Sequence, residues 1–402
     1  MDKKTIIYFI FLITLSLIYI LDKYRFTIYL FLILQQGLIQ PSKFWWTISD
    51  LLLDKHSISD YAIEKYSNDI NYEYISSVKC KIVNDINEVK YLLENSPEKF
   101  SFGTLKINFL KYFMPNNVGI TIDAKLWRER RNVSEIILET SKPKNDRVTS
   151  LQPKIIDYIN SIGKFTTYES FLNLSSFMTK ILLFGHTDVS DSIFNLITPK
   201  NYINLTENIS YVHDKWDNLL KTTKIEDGSL ISSLKKFGDI SASELIDHIP
   251  HWLFPIINSV SVTLPRCLLV DSLYGKKYNK DGSIPTRNKI LEILRLDNTV
   301  VCINKKSIET GEEFFIFMKM FLRNKKYFTN PHKYDPLRWN DKSLEYQMYS
   351  LMFSQGPQIC PGKNLIIHLM VIIFDAIKPL FKSNKFVDVD DLPDSLNPFN
   401  LF

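Results

Sequence analysis

The chain has 402 residues, 45% of them hydrophobic and 13% aromatic, enough apolar material to bury a sizeable core. Its 49 basic and 44 acidic side chains leave a net charge of only +5, a mixed surface without a basic-aromatic stripe, which argues against nucleic acid as a partner. Four dispersed cysteines, Cys80, Cys267, Cys302 and Cys360, form no Cys-x-x-Cys pair; that argues against a structural zinc site or a disulfide scaffold and fits a reducing compartment.

Thr5 to Leu21 is an uncharged, mostly apolar run at the lower limit of length for a helix that spans a bilayer. Lys3 and Lys4 precede it and Lys23 and Arg25 follow, so flanking charge does not fix its orientation. The run is long for a cleavable signal, and no small residues mark a cleavage site. An uncleaved single-pass anchor over residues 1–24 is expected, with the body of the protein on the cytoplasmic side. A second apolar run, Phe26 to Leu34, stops at Gln35 and Gln36. With Pro41 and the Phe44-Trp45-Trp46 cluster it reads as an interfacial segment, 25–50, in contact with membrane lipid.

Residues 51–402 read as one continuous body with no repeat and no long linker. Most of it is helices separated by short polar stretches. Trp127 and Arg131 stand at i, i+4 in a charged stretch beginning at Gly119, which places both on one helix face; Lys125, Arg128 and Arg130 fall on other faces. Ser241-Ala242-Ser243-Glu244 is a capping box opening a helix that continues through the apolar stretch Trp252 to Leu269. Within it lie Pro255-Ile256-Ile257-Asn258-Ser259, where the proline removes a backbone donor and can kink the helix. Glu292 and Arg295, at i, i+3, share a helix face. Thr299 to Ile303 and Phe314 to Met318 are β-rich runs around Gly311 and predict a small sheet. A proline-rich turn, Pro331 to Trp339, carries Arg338.

The most informative segment is Phe353-Ser354-Gln355-Gly356-Pro357-Gln358-Ile359-Cys360-Pro361-Gly362. A cysteine presented from a tight turn is either a buried structural thiol or a thiolate ligand. Gly356 allows a sharp turn and a close approach, and Pro361 suits the first turn of a following helix. The segment resembles the haem-binding loop of the cytochrome P-450 superfamily, Phe-x-x-Gly-x-x-x-Cys-x-Gly, a match expected by chance at about 2×10⁻⁴ for a chain of this composition.

The resemblance extends, in the family's order, from Gly119 to His368. It implies a mainly α fold with a small β region, the cytochrome P-450 fold. It implies haem b as cofactor, with Cys360 as axial thiolate, a strongly donating ligand that favours O–O cleavage. It assigns Trp127 and Arg131 to a haem propionate, Phe353 to shielding the sulfur, Gly356 to the close approach of the loop, and Gly362 to room beneath the macrocycle. Glu292, Arg295 and Arg338 become a structural cluster behind the haem.

Two motifs depart from the family's pattern. Gln358 stands where Arg or His contacts a propionate, keeping a hydrogen-bond donor without charge. Ile256 and Asn258 replace the Gly and the acid of the oxygen-side motif, while Ser259 keeps the hydroxyl, so Asn258 and Ser259 are the expected catalytic pair. The implied activity is a monooxygenase acting on an apolar, lipid- or sterol-like substrate, with a reductase or ferredoxin as electron donor. Alternatives are a peroxide-using isomerase or lyase of the same fold, and a haem-binding protein without catalysis.

Overall fold

The computed structural model describes residues 58–67, 70–75, 77–110, 123–190, 209–237, 242–279, 282–298, 300–341, 343, 351–397 and 400–402. The expected anchor and interfacial segment lie outside these residues, as does Ser241 of the capping box.

A five-stranded mixed sheet lies to one side of a helical body. Its order is β1-β2-β5-β4-β3, with β1 Asn71–Ile75, β2 Val78–Ile82, β3 Phe100–Phe102, β4 Cys302–Ser307 and β5 Glu313–Phe317. The two C-terminal strands form the expected small-sheet hairpin, an antiparallel pair in which Cys302 faces Phe317; Gly311 turns it with φ +72°, a value a residue without Cβ reaches freely. Strand β5, Glu-Phe-Phe-Ile-Phe, is buried along its whole length, because it is the centre of the sheet, parallel to β2 on one side and antiparallel to β4 on the other. The edge strand β1 alternates and exposes Tyr72 and Tyr74, the pattern of a strand with one wet face.

The helices are α1 Ile58–Tyr66, α2 Ile86–Glu94, α3 Thr104–Leu110, α4 Ala124–Ile137, α5 Asp146–Ile162, α6 Tyr168–Phe184, α7 Ile209–Thr222, α8 Leu230–Lys235, α9 Ala242–Asn258, α10 Leu264–Lys277, α11 Thr286–Asp297, α12 Lys319–Leu322 and α13 Lys363–Ile377. Side chains of the N-cap residue hold the N-termini of four of them, Ser229 doing so for α8 by accepting from Ser232 N at 3.1 Å. Asp85 accepts from Asn87 N at 2.9 Å and Asn145 from Val148 N at 3.0 Å, while Asp123 receives Leu126 N at 2.6 Å, each occupying a backbone donor that the helix leaves unpaired.

Helices α9 and α10 form one rod through the core, joined by a π-helical turn, Ser259–Thr263. Pro255 does not end the helix; the irregularity comes after it, where Leu264 N reaches back five residues to Ser259 O. Pro265 follows at once and brings no N–H of its own, so a widened turn is what the chain adopts there. The stretch His248–Lys277 is apolar and long enough to cross a membrane, yet most of its apolar part is buried inside the protein, as a core helix is.

Helix α11 has every residue from Asn288 to Asp297 buried. Its last turn meets a buried ionic network. Arg266 Nε lies 3.2 Å from Asp297 Oδ2 and Arg323 NH1 lies 3.3 Å from Asp394 Oδ1. Asp394 in turn accepts from both Ser59 N, at 2.8 Å, and Ser59 Oγ, at 2.7 Å. Charges this deep are tolerated when every one is paired and hydrogen-bonded; here they tie the C-terminal tail and α1 to the helix that carries Glu292 and Arg295.

Candidate functional site

The cysteine loop is held on two sides. Ser354 and Gly356 both take positive φ, 64° and 66°, and the chain then makes a single 3-10 turn, Gly356–Gln358. A Cβ on Gly356 would lie 2.5 Å from Leu93 O and 2.9 Å from Glu94 Cα, so the loop presses against the end of α2 at a point where only glycine fits. Gln355 Nε2 fastens that contact to Glu94 Oε1 at 2.6 Å. Across the loop, Cys360 N donates to Phe353 O at 2.7 Å. On the far side Thr140 Oγ1 donates to Pro361 O and Asn364 Nδ2 to Thr140 O, both at 2.8 Å, clamping the loop to the turn after α4. Gly362 is different. The nearest atom to a Cβ there is Leu138 Cδ1 at 4.0 Å, so no protein contact demands glycine.

Cys360 opens directly into α13 through Pro361 and Gly362. Burial pushes its thiol pKa up; the Gly362 N–H aimed at the sulfur and the cations Arg131, Lys106 and Lys363 pull the other way. It lies within the fold but retains accessible surface, as does a side chain that faces an internal space. Phe353, half-buried, packs against the core beside it.

A ring of donors surrounds the same space, assembled on Phe102. Lys106 Nζ sits 4.4 Å and Lys305 Nζ 5.1 Å from the centroid of the Phe102 ring. Phe102 in turn packs with Trp127, and the Arg131 guanidinium lies 5.9 Å from the Trp127 ring. Lys305 also donates to Gln358 Oε1. Strand β4, helix α3, helix α4 and the cysteine loop thus bring Lys305, Lys106, Trp127, Arg131 and Gln358 together. Arg131 Nε is paired with Glu135 at 2.6 Å, but its NH2 is buried without a partner, and so is Gln358 Nε2. Lys305 is 1% exposed, and among the described residues no carboxylate pairs with it or with Lys106. Burial lowers Lys305 to about 7, while Lys106 keeps accessible surface. Buried donors left unpaired are costly; a set of them around one space matches an anionic group that is not part of the chain.

Behind the loop, Glu292 collects donors from four sides. Arg295 grips it through Nε to Oε2 at 2.9 Å and NH2 to Oε1 at 2.8 Å, and Arg338 Nε reaches Oε1 at 3.3 Å. Two donors were not read from the sequence: Trp339 Nε1 to Oε2 and Asp335 N to Oε1, each at 3.0 Å. Arg295 NH1 also caps Leu322 O at 2.6 Å and Pro331 O at 2.8 Å. Glu292 and Arg295 are both 0% exposed, so this pair welds α11 to the Pro331–Trp339 turn.

On the rod, His251, Pro255, Asn258 and Ser259 keep accessible surface while Trp252, Leu253, Ile256, Ile257 and Val260 do not. The spacing i, i+4, i+7, i+8 is one helix face. His251 interacts electrostatically with Lys106 and Arg131, the cations that also influence Cys360, so this face borders the same internal space. Asn258 and Ser259 are on it; Ile256, at 2% exposure, points into the core instead.

These residues fit a haem: a thiol with an N–H aimed at its sulfur, unpaired cationic and amide donors suited to propionates, and a helix face opposite. The comparisons with known proteins agree with that fit. Residues 290–389 match the family model described as Cytochrome P450. Tomato cytochrome P450 85A1 is 32% identical over 90 residues, 20% of this chain and 19% of that one. Arabidopsis 3-epi-6-deoxocathasterone 23-monooxygenase CYP90D1 is 27% identical over 99 residues, 22% of this chain and 20% of the relative. A solved zebrafish cytochrome P450 with abiraterone superposes with a TM-score of 0.62, at 12% identity, over 80% of this chain and 91% of that one.

The C-terminal stretch of the chain matches the cytochrome P450 family, and the fold is similar to that of a cytochrome P450. The stretch matched spans about a fifth of the length of the curated relatives. The family match contains Glu292, Arg295, Arg338 and the whole cysteine loop. Trp127, Arg131 and the rod lie outside it and within a likeness of fold. Sequence reading missed Lys106 on α3, Phe102 and Lys305, and nothing in a lone lysine on a strand announces that Lys305 is buried.

Proposed function

We propose that this protein is a haem-thiolate monooxygenase that inserts one oxygen atom of O2 into an apolar, lipid- or sterol-like substrate. The observation that carries the reading is the set of donors beside Cys360 in which Arg131 NH2 and Gln358 Nε2 are buried without a hydrogen-bond partner. Bound there through Cys360, haem supplies oxygen activation. The chain's own residues do the rest. Arg131, Trp127, Lys305 and Gln358 hold the anionic edge, Phe353 screens the sulfur, and the Gly362 N–H tunes its basicity. Glu292, Arg295 and Arg338 keep the loop's foundation rigid. Asn258 and Ser259, on the accessible face of the rod, orient water for the two protons the reaction consumes.

The balance is one O2, two electrons and two protons for one hydroxylated product and one water, so an electron donor of the reductase or ferredoxin class is required. Residues 1–24 as anchor and 25–50 as interfacial segment place the body, 51–402, on a cytoplasmic membrane surface, where apolar substrates dissolve. The sterol-like part of the reading draws on the substrate named for the Arabidopsis relative. Purified protein supplied with a reductase, O2 and candidate sterols and fatty acids is expected to yield hydroxylated product. Electron uptake without product contradicts the reading.

One observation favours a second reading. Asn258 stands where an acid is expected. A peroxide-using isomerase or lyase needs no such acid. Turnover of a fatty-acid hydroperoxide without O2 or reductase would establish it.

A further inference from the structure

Two to three turns before Asn258 and Ser259, His248, His251 and Trp252 stand at i, i+3, i+4 on the rod, His251 on its accessible face and the other two buried beside it, and each has a ring nitrogen buried without a hydrogen-bond partner: Nδ1 of both histidines and Nε1 of the tryptophan. His248 and Trp252 are 2% and 5% exposed, and their rings lie 5.1 Å apart. Below them Pro255 has no N–H, so the helix cannot return its usual hydrogen bond to the His251 carbonyl. Three orphaned nitrogens and one carbonyl released from the ladder therefore gather on one turn of an otherwise apolar helix. Each buried polar atom without a partner costs stability, and a cluster of them marks a place where the partner comes from outside the chain.

The chemistry of that partner follows from the groups. Trp252 Nε1 can only donate, whereas an imidazole offers one donor and one acceptor. Burial keeps both histidines neutral, lowering His248 to about 3 and His251 to about 4, helped by the neighbouring cations. A neutral group that both donates and accepts, a hydroxyl, meets these requirements better than a hydrocarbon.

We infer that His248, His251 and Trp252 form a polar subsite in the substrate space, which takes the hydroxyl group of an otherwise apolar substrate and so fixes which carbon faces Cys360. The inference rests on the function proposed above and adds the substrate's polar end to it. Recognition of this kind discriminates strongly, because a substrate lacking the hydroxyl leaves the nitrogens unpaired.

The test uses the full-chain holoprotein and matched probe pairs, cholesterol with 5-cholestene and dodecanol with dodecane, read by the substrate-induced shift of the Soret band. In at least one pair the alcohol binds tenfold or more tightly than its hydrocarbon. His251→Leu and Trp252→Phe each reduce that preference to within about threefold and leave hydrocarbon binding unchanged. Thermal unfolding without substrate gives an independent reading. His248→Phe and His251→Leu raise the midpoint by about 2–4 °C, since each removes an unpaired buried group. Equal binding within both pairs, a preference that survives the substitutions, or a lowered midpoint overturns the subsite. The carbon monoxide spectrum of the same samples separates the two claims: its absence in the unaltered protein removes the haem reading, while the unfolding midpoints still judge the subsite.

Discussion

Lys305 and Gln358 are 53 residues apart and meet in the interior, the ammonium donating to the amide oxygen while the amide nitrogen stays unpaired. The usual basic residue of the cysteine loop is missing at 358, and a cation from strand β4 stands beside it. Lys305→Met should therefore weaken haem binding by about 1.5–3 kcal/mol, a roughly ten- to hundredfold loss, measured by titrating haem into apoprotein. Lys305→Arg should recover most of it.

The same lysine gives haem binding a pH dependence. Burial holds Lys305 near 7 in the free protein, against about 10.4 for an unperturbed lysine. In that window the unfolded chain binds the proton and the folded apoprotein does not, so apoprotein stability rises with pH between about 7 and 10. An anionic propionate raises the folded value again, and haem binding then takes up a proton. Affinity should fall as pH increases across the window, and Lys305→Met should flatten that slope.

Gly356 and Gly362 flank the same cysteine and should respond oppositely to alanine. At Gly356 the positive φ alone costs about 1–3 kcal/mol for a residue with a Cβ, and that Cβ would collide with Leu93 O at 2.5 Å. Gly356→Ala should lower the melting temperature even without haem. At Gly362 the nearest atom is 4.0 Å away, so Gly362→Ala should leave apoprotein stability unchanged and reduce haem occupancy alone.

Removing the Glu292 carboxylate strands Arg295, which is 0% exposed. Breaking a buried pair from one side costs about 3–5 kcal/mol, a large share of a domain's total stability. Glu292→Ala should unfold or precipitate at temperatures where the unaltered protein survives, as scanning calorimetry will show. A melting temperature within a degree of the original would contradict the structural role.

Ile256 is a core residue in this structure and not a groove residue. Ile256→Ala should cost about 2–5 kcal/mol as a cavity substitution. Ser259→Ala, on the accessible face, should leave stability nearly unchanged and lower product formed per electron consumed.

The sequence reveals what is local and repeatedly spaced. Turn and helix chemistry over ten residues marks the cysteine loop, and the i, i+3 spacing marks Glu292 and Arg295. The β4–β5 hairpin follows from β-rich runs around Gly311. What stays hidden depends on distant partners. Lys305 reads as an ordinary strand lysine until Phe102 and Gln358 close over it, and Trp339 reads as core until its N–H meets Glu292. The π-helical turn was also hidden. Pro255 is the visible irregularity, but Pro265 is the proline that follows the widened turn directly. His251 and Trp252 look like components of an apolar helix, because a sequence does not show which polar atoms folding leaves unpaired.

The central claim is that Cys360 ligates haem iron through its thiolate, and the most direct measurement is the absorption spectrum of the reduced, carbon monoxide-treated protein beside Cys360→Ser. The account predicts a long-wavelength Soret band in the first and its loss in the second. A protein that binds haem with no such band, or a band that persists without Cys360, would contradict it.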